Sequence, residues 1–463
     1  METAENRVGK NIFLTVRPGY EKALLLEIES RQSVGLVSLK TSSGNGWVGV
    51  SDLPLDLPKP LRSLFVFERQ RLPKALWFPF PPDTKSGSGR GQSFPVTQAA
   101  EAVLGKLTGH SGAWWLHAFT PDPQSSPGFL ARAEAMGRDL QAEILRAQPA
   151  LANTLRGEDT PPPTAFVSHG SKHGMDATTG RVVQFCLLEA GVWVSVAAPI
   201  ELSSSAPGGI LRMPGDADAP SRSYLKLEEA FHVLGRQPQA RQRVIDLGAA
   251  PGGWSYGCLK RGCHVLAVDN GPMKIRILGD LPGRLEHQRT NGLTFRPAQG
   301  WLPTDWLVSD MLVPPGETMG LLRRWLDNGW MQRFVVNVKL PQKNPVQALL
   351  PLLDYLEKVP GLRFRMTQLY HDRREVTVVG ELASPPRPVD VAVSKQAHQR
   401  PSAQKTSPKR GAKPGGKTGG KSGEKSTGKP VARSGGRPDR KRTEQKTSPK
   451  PPVRATSKSR RKR

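Results

Sequence analysis

The sequence predicts an α/β protein: a parallel sheet flanked by helices, preceded by two smaller α+β units and followed by a disordered basic tail. Three observations predict it. From Ser221 onward, short apolar runs alternate with helical stretches, the signature of a parallel sheet with crossover helices. One run, Val244-Ile-Asp-Leu247, passes directly into the glycine-rich turn Gly248-Ala-Ala-Pro-Gly-Gly253. Past about residue 385 the chain has no Phe, Trp or Tyr and is dominated by Gly, Pro, Ser, Thr, Lys and Arg, so it cannot bury enough surface to offset its ordering entropy.

Residues 11–70 read as a compact α+β unit. Asn11–Val16 is a strand, Arg17-Pro-Gly-Tyr20 a turn, and Glu21–Gln32 a helix with Ala23, Leu24, Leu26 and Ile28 on one face. Gly46–Val50 and Leu64–Phe67 are expected strands, and Phe78–Gln92 a linker rich in Pro, Gly and Ser. A second α+β unit follows: helix Val96–Leu107, strand Ala113–Phe119, helix Phe129–Ala147, then strands at Thr164–Ser168, Val182–Leu188 and Val192–Val196. In the third unit a helix opens at Ser221. Val244–Leu247, Val265–Val268, Trp306–Ser309 and Phe334–Val338 are parallel strands, and Arg363–Leu369 with Glu375–Val379 form an antiparallel pair at the sheet edge.

The 463 residues carry a formal charge of +27, unevenly spread. Val391–Arg463 holds 23 Lys+Arg against 3 acidic residues, a balance of +20 that leaves +7 for residues 1–390. Such a tail contacts nucleic acid through counterion release, although a nuclear address or a solubility tail has the same composition. Cys186, Cys258 and Cys263 form no CxxC pair, so neither a disulfide framework nor a zinc site is indicated. The His-containing spots Ser168-His-Gly170, Lys172-His-Gly174 and Tyr370-His-Asp372 lack metal-ligand partners, and no metal is expected. The polar N-terminus is not a secretory signal, and no apolar run reaches the roughly 18 residues of a membrane span. A soluble cytoplasmic monomer is expected.

The turn after Leu247 is not GxGxxG, because Ala249 and Ala250 occupy the place of the second glycine, and no GK[ST] follows it. Asp269 ends the next strand, Val265-Leu-Ala-Val-Asp269, where a carboxylate accepts hydrogen bonds from ribose hydroxyls. The combination favours a nucleoside cofactor without a pyrophosphate, with S-adenosylmethionine the leading candidate.

Asp246-Leu-Gly-Ala-Ala-Pro-Gly-Gly-Trp254 resembles the cofactor loop of the FtsJ-type 2′-O-ribose RNA methyltransferases. Ser221-Arg-Ser-Tyr-Leu-Lys-Leu-Glu-Glu-Ala-Phe231, Val268-Asp-Asn-Gly-Pro-Met273, Asn337-Val-Lys-Leu-Pro341 and Leu369-Tyr-His-Asp-Arg-Arg-Glu-Val-Thr-Val378 narrow the likeness. With Arg17-Pro-Gly-Tyr-Glu-Lys22, they resemble the RlmM family, which methylates a cytidine ribose in 23S ribosomal RNA. The resemblance spans roughly residues 11–380. It implies a ferredoxin-like unit over 1–75, a THUMP RNA-binding domain over 90–205, a Rossmann-like methyltransferase domain over 215–384, and a tail over 385–463 outside the likeness. It also implies a Lys226–Asp310–Lys339–Glu375 tetrad, cofactor contacts at Ser223, Ala250, Pro251, Gly252, Gly253, Asp269 and Asp310, and 23S ribosomal RNA or its precursor as partner. Where the family tends to have an acidic residue near the adenine, this chain reads Thr290-Asn291-Gly292, so Asn291 is the expected contact there.

The residues make the chemistry concrete. Asp310 and Lys339 end apolar runs, Glu375 opens one, and Lys226 sits on the helix that opens at Ser221. The carboxyl ends of strands in an open α/β sheet face the ligand crevice. Proton removal from a ribose 2′-hydroxyl needs a base, and lysine serves once desolvation or a neighbouring cation favours its neutral form. Lys339 is the expected general base, with Asp310 and Lys226 orienting it and Glu375 positioning Lys226 or the ribose. Base N-methylation is disfavoured because no aromatic follows Asp310-Met-Leu-Val-Pro-Pro315. C5 methylation is disfavoured because Cys258 and Cys263 lie away from the strand ends, where they read as packing residues. Trp114, Trp115, Trp325 and Trp330 read as core rather than base-stacking platforms. The rivals are a 2′-O-methyltransferase of transfer RNA or of a messenger cap, and a non-catalytic RNA-binding assembly factor.

Overall fold

A computed structural model describes residues 11–35, 40–51, 64–81, 94–124, 127–157, 159–163 and 180–383. The expected strand at 164–168 and the tail over 385–463 lie outside them.

The first unit has a four-stranded antiparallel sheet of order β2-β3-β1-β4, with β1 Ile12–Val16, β2 Lys40–Gly44, β3 Trp47–Ser51 and β4 Glu68–Pro73, and the helix α1 Glu21–Gly35. The fourth strand is not the apolar Leu64–Phe67 but the polar segment after it. Leu64–Phe67 is buried without being a strand, and β4 buries Glu68, Arg69, Gln70 and Arg71. Buried polar groups persist when they are hydrogen-bonded, and here partners come from a distant loop and from within the strand. Ser203 Oγ donates to Glu68 Oε1 at 2.5 Å, Gln70 Nε2 donates to the Ser204 carbonyl at 2.9 Å, and Arg71 pairs with Glu68 at 2.7 Å. Apolar patterning cannot anticipate a strand satisfied this way.

The second sheet has the order β5-β8-β7-β6, with β6 Trp114–Phe119 parallel to β7 Arg181–Leu188 and β8 Gly191–Ala197 antiparallel to its neighbours. Its edge strand β5, Leu76–Pro79, runs two residues into the expected linker Phe78–Gln92. Helices α2 Val96–Leu107 and α3 Pro127–Ala147 contribute Ala99, Val103, Leu140 and Ile144 to a core with Phe185 and Trp114.

The third sheet has seven strands in the order β11-β10-β9-β12-β13-β15-β14. The parallel strands are β9 Arg243–Leu247, β10 His264–Val268, β11 Arg284–Gln288, β12 Thr304–Ser309 and β13 Met331–Lys339. Strand β15, Glu375–Leu382, runs antiparallel between β13 and β14, Leu362–Thr367. Helices α4 Tyr224–Leu234, α5 Gly253–Leu259, α6 Pro315–Asp327 and α7 Pro345–Lys358 complete a Rossmann-type layer structure. Strand β11 has a single apolar residue, Leu285, which is why periodicity does not reveal it.

The chain adds β10 and β11 on one side of β9, then returns to add β12 on the other. That reversal opens a crevice at the carboxyl ends of β9 and β12. The first unit does not stand apart from this sheet: Leu14, Ile28 and Val48 share one continuous core with Leu247, Phe364 and Val378. The expected core residues Trp114, Trp115, Trp325, Cys258 and Cys263 are buried, and Trp330 packs against the shared core.

Candidate active site

Four side chains far apart in the sequence meet at the crevice. Lys226 comes from the first turn of α4, Asp310 follows β12, Lys339 ends β13 and Glu375 opens β15. The antiparallel register sets Lys339 directly opposite Glu375. Lys226 Nζ lies 3.2 Å from Asp310 Oδ2 and also pairs with Glu375 Oε1. Lys339 Nζ lies 2.5 Å from Glu375 Oε2 and also pairs with Asp310 Oδ1. The result is a closed ring in which each carboxylate bridges both lysines.

The ring is mostly withdrawn from water, with side-chain exposures of 14% for Lys226, 17% for Asp310, 17% for Lys339 and 8% for Glu375. Burial alone would push the Lys226 ammonium toward deprotonation, but Asp310 and Glu375 outweigh it and hold the pKa above the ordinary lysine value. Burial likewise opposes ionisation of Glu375, and the two lysines overcome it, keeping this carboxyl below the usual range.

A second layer fixes the ring. Asn337 Nδ2 donates to Asp310 Oδ1 at 2.9 Å, and Thr377 Oγ1 donates to Asn337 Oδ1 at 2.6 Å. Both residues lie in the segments Asn337–Pro341 and Leu369–Val378, whose likeness assigns roles only to Lys339 and Glu375. A signal existed: Asn337 is two residues before Lys339 and Thr377 two after Glu375, and alternate residues of a strand share a face.

On the other side of the crevice lies the glycine-rich turn. Gly248 (φ +77°) and Gly252 (φ +113°) adopt conformations that L side chains rarely take, and a Cβ on Gly252 would sit 2.9 Å from Ile275 Cγ1. A Cβ on Gly253 would collide with the hydroxyls of Ser221 and Ser223, so Ser223 touches the start of α5. Trp254 Nε1 donates to the Ser223 carbonyl at 2.9 Å, tying α5 to the start of α4. Asp269 follows β10, and its carboxylate accepts the Ala250 N–H at 3.1 Å and the Gly271 N–H at 2.6 Å. Two backbone donors thus aim a half-buried carboxylate beside the turn, leaving acceptor capacity for a ligand diol. That donor–acceptor set fits a nucleoside rather than a pyrophosphate.

Asn291 is exposed three residues beyond β11, and its side-chain carbonyl accepts the Leu293 N–H at 2.9 Å. One of its hydrogen-bonding groups is therefore engaged in its own turn. Its neighbour Gly292 packs on the crevice, where a Cβ would stand 3.4 Å from Gly248 N.

Below the turn, Asp246 is fully buried in β9 and accepts from Ser255 Oγ at 2.7 Å. Burial pushes its carboxyl up to about 7. Among the described residues, no group of three or more His, Cys, Asp and Glu side chains could hold a metal ion, and no helix is long and apolar enough to cross a membrane.

Residues 219–320 match the FtsJ-like methyltransferase family. Ribosomal RNA large subunit methyltransferase M of Laribacter hongkongensis is 44% identical over 218 residues, covering 44% of this chain and 59% of that protein. The protein of the same name from Halorhodospira halophila is 42% identical over 186 residues, covering 39% of this chain and 53% of that protein. Those two matches thus span little more than half of each relative. The like-named protein of Shewanella oneidensis is 30% identical over 394 residues, 80% of this chain and 97% of that protein. Among solved structures, a human methyltransferase 10 domain containing protein matches with a TM-score of 0.26 and 15% identity, covering 37% of this chain and 86% of that one, a likeness too loose to carry an argument.

Proposed function

The chain belongs to the ribosomal RNA large subunit methyltransferase M family, and from that premise we propose that it methylates the 2′-hydroxyl of a cytidine in 23S ribosomal RNA using S-adenosylmethionine. Lys339 is the general base. The single observation that carries this reading is the closed Lys226–Asp310–Lys339–Glu375 ring at the carboxyl ends of the strands, facing the glycine-rich turn and Asp269.

Ser223, Ala250, Pro251, Gly252, Gly253 and Asp269 would hold the cofactor, with Asp269 accepting from its ribose hydroxyls, and Asn291 would lie near its adenine. Bound there, the cofactor supplies the methyl group on a positively charged sulfur, and that charge favours the neutral form of a nearby lysine. Lys339 Nζ takes the hydroxyl proton as the ribose oxygen becomes the nucleophile. When Lys339 is neutral, Lys226 remains as the one cation between Asp310 and Glu375. Lys226 thereby keeps both carboxylates in place and leaves the Lys339 lone pair free for the incoming hydroxyl. The first two units and the basic tail would hold the RNA.

The test is transfer of a labelled methyl group to ribosomal RNA from a strain lacking the protein, with the product mapped by nucleotide. Label on a cytidine ribose of 23S RNA is expected. Label on a base, or on transfer RNA alone, would refute the reading.

A further inference from the structure

Building on that catalytic reading, we propose that Asp372 is a neutral carboxylic acid whose proton orders a hydrogen-bond chain through Thr377 and Asn337 onto Asp310. Asp372, Thr377 and Asn337 are then positioning residues for the ring.

The argument is a proton count. Thr377 Oγ1 lies 2.6 Å from Asn337 Oδ1 and 3.0 Å from Asp372 Oδ2, yet a hydroxyl has one proton to give. Asp310 accepts from both lysines, so Asn337 must turn its NH₂ toward Asp310 and its carbonyl toward Thr377. The reversed amide would set two acceptors against each other at 2.9 Å. The Thr377 proton is therefore committed to Asn337. Were Asp372 ionised, its carboxylate would face the Thr377 oxygen with no proton between them, at a point where both residues are fully buried. A proton on Asp372 removes the conflict. Asp372 donates to Thr377, Thr377 to Asn337 and Asn337 to Asp310, while the Leu369 N–H donates to the Asp372 carboxyl at 3.0 Å.

The surroundings agree. Burial pushes the Asp372 carboxyl well above the usual range, and Glu375 and Glu229 add to it, against the Leu369 N–H and the Lys226 cation. The hydrogen bond from Arg17 to Asp372 goes to its backbone carbonyl. A chain with one polarity gives Asp310 a single hydrogen-bonded orientation: Oδ1 takes Asn337 and Lys339, and Oδ2 takes Lys226.

Difference infrared spectroscopy on the full-length protein reads the proton directly. A protonated-carboxyl band at neutral pH is expected to disappear in Asp372→Asn, whereas the band of the other raised carboxyl, Asp246, remains. Thr377→Val should shift the Asp372 band to higher frequency, because its acceptor is gone. In turnover, Thr377→Val should lower kcat about tenfold with cofactor Kd unchanged, and Thr377→Ser should restore most of that loss. Asp372→Asn, whose amide can still donate to Thr377, should cost about threefold at most. Loss of no band in Asp372→Asn, no shift in folded Thr377→Val, or wild-type kcat in Thr377→Val overturns the proposal. If the unaltered protein transfers no methyl group to ribosomal RNA, the functional reading fails, and the band and its shift still decide the chain.

Discussion

Arg17 Nη1 donates to the backbone carbonyl of Asp372 at 2.5 Å, across 355 residues of sequence. The same guanidinium reaches the Tyr370 carbonyl at 3.3 Å, Tyr20 Oη donates to the Arg373 carbonyl at 3.2 Å, and the Gln368 N–H donates to the Val66 carbonyl at 2.9 Å. From the opposite side, Glu229 accepts the N–H groups of Tyr370 at 2.7 Å and His371 at 3.0 Å. Glu229 lies on α4 one turn after Lys226. The turn that delivers Glu375 is thus clamped between the first unit and the helix that carries a member of the ring.

Arg17→Ala should therefore lower kcat while leaving cofactor affinity unchanged, since none of these bonds reaches Asp269 or the glycine-rich turn. A hydrogen bond to a charged donor contributes about 1.5–3 kcal/mol, so the loss should be roughly ten- to hundredfold. Single-turnover kinetics beside a calorimetric cofactor titration checks it. An equal fall in cofactor affinity would show that the clamp serves general folding instead.

Lys339→Met should abolish methyl transfer and leave cofactor binding largely intact. Lys339→Arg should fail as well, because a guanidinium stays protonated at any useful pH. The two variants separate charge from basicity: Arg can still neutralise Asp310 and Glu375, whereas Met leaves both carboxylates to Lys226 alone. Melting temperature should consequently drop more in Lys339→Met than in Lys339→Arg. Measurable turnover in folded Lys339→Arg would remove Lys339 as the base.

Most of the third unit and the ring was legible in the sequence because its strands are buried on both faces and read as apolar runs ending in a charged residue. Val265–Val268, Trp306–Ser309 and Phe334–Val338, followed by Asp269, Asp310 and Lys339, all have this form. Strand β11 was not legible, since an edge strand facing solvent needs little beyond Leu285. Strand β4 is not legible because Glu68 and Gln70 are buried against partners more than a hundred residues away, Ser203 and Ser204 among them. The same limit hid the Arg17 clamp and the Asp372–Thr377–Asn337 chain. Their partners are set by tertiary placement, which local pattern does not encode.

Asp269→Ala should weaken cofactor binding about ten- to hundredfold, through loss of charge-assisted hydrogen bonds worth roughly 1.5–3 kcal/mol. The carboxylate also organises the turn through Ala250 and Gly271. Asp269→Asn keeps one acceptor oxygen and should lose less. Equal calorimetric affinities in wild type and Asp269→Ala would refute the assignment.

Asp246→Asn should change the pH dependence of stability in a defined window. The wild-type carboxyl has a pKa raised from 3.8 to about 7 by burial, so below about pH 4 it is protonated in both folded and unfolded states. As pH rises toward 7 the unfolded state ionises first, and the stability contributed by the neutral acid is lost. The asparagine does not titrate, so the variant should gain on wild type by a few kcal/mol between about pH 4 and pH 7, then hold level. Parallel melting curves across that range test it, and a constant difference at every pH would show that Asp246 ionises normally.

Removing residues 391–463 should leave the methylated nucleotide unaltered while weakening RNA affinity and flattening its salt dependence. The segment carries 23 Lys+Arg against 3 acidic residues and no Phe, Trp or Tyr, so it can contact phosphates but has almost no means of reading bases. Each phosphate contact on a single strand contributes about −0.7 to the slope of log affinity against log salt, so losing even four contacts would shift that slope by roughly 3. Target choice should stay with residues 11–220 and the crevice, where one ribose must be brought to Lys339. The comparison is full-length against truncated protein, with binding followed across a salt series and the product mapped by nucleotide. An unchanged slope, or methylation redirected to another nucleotide, would mean that the tail takes part in recognition.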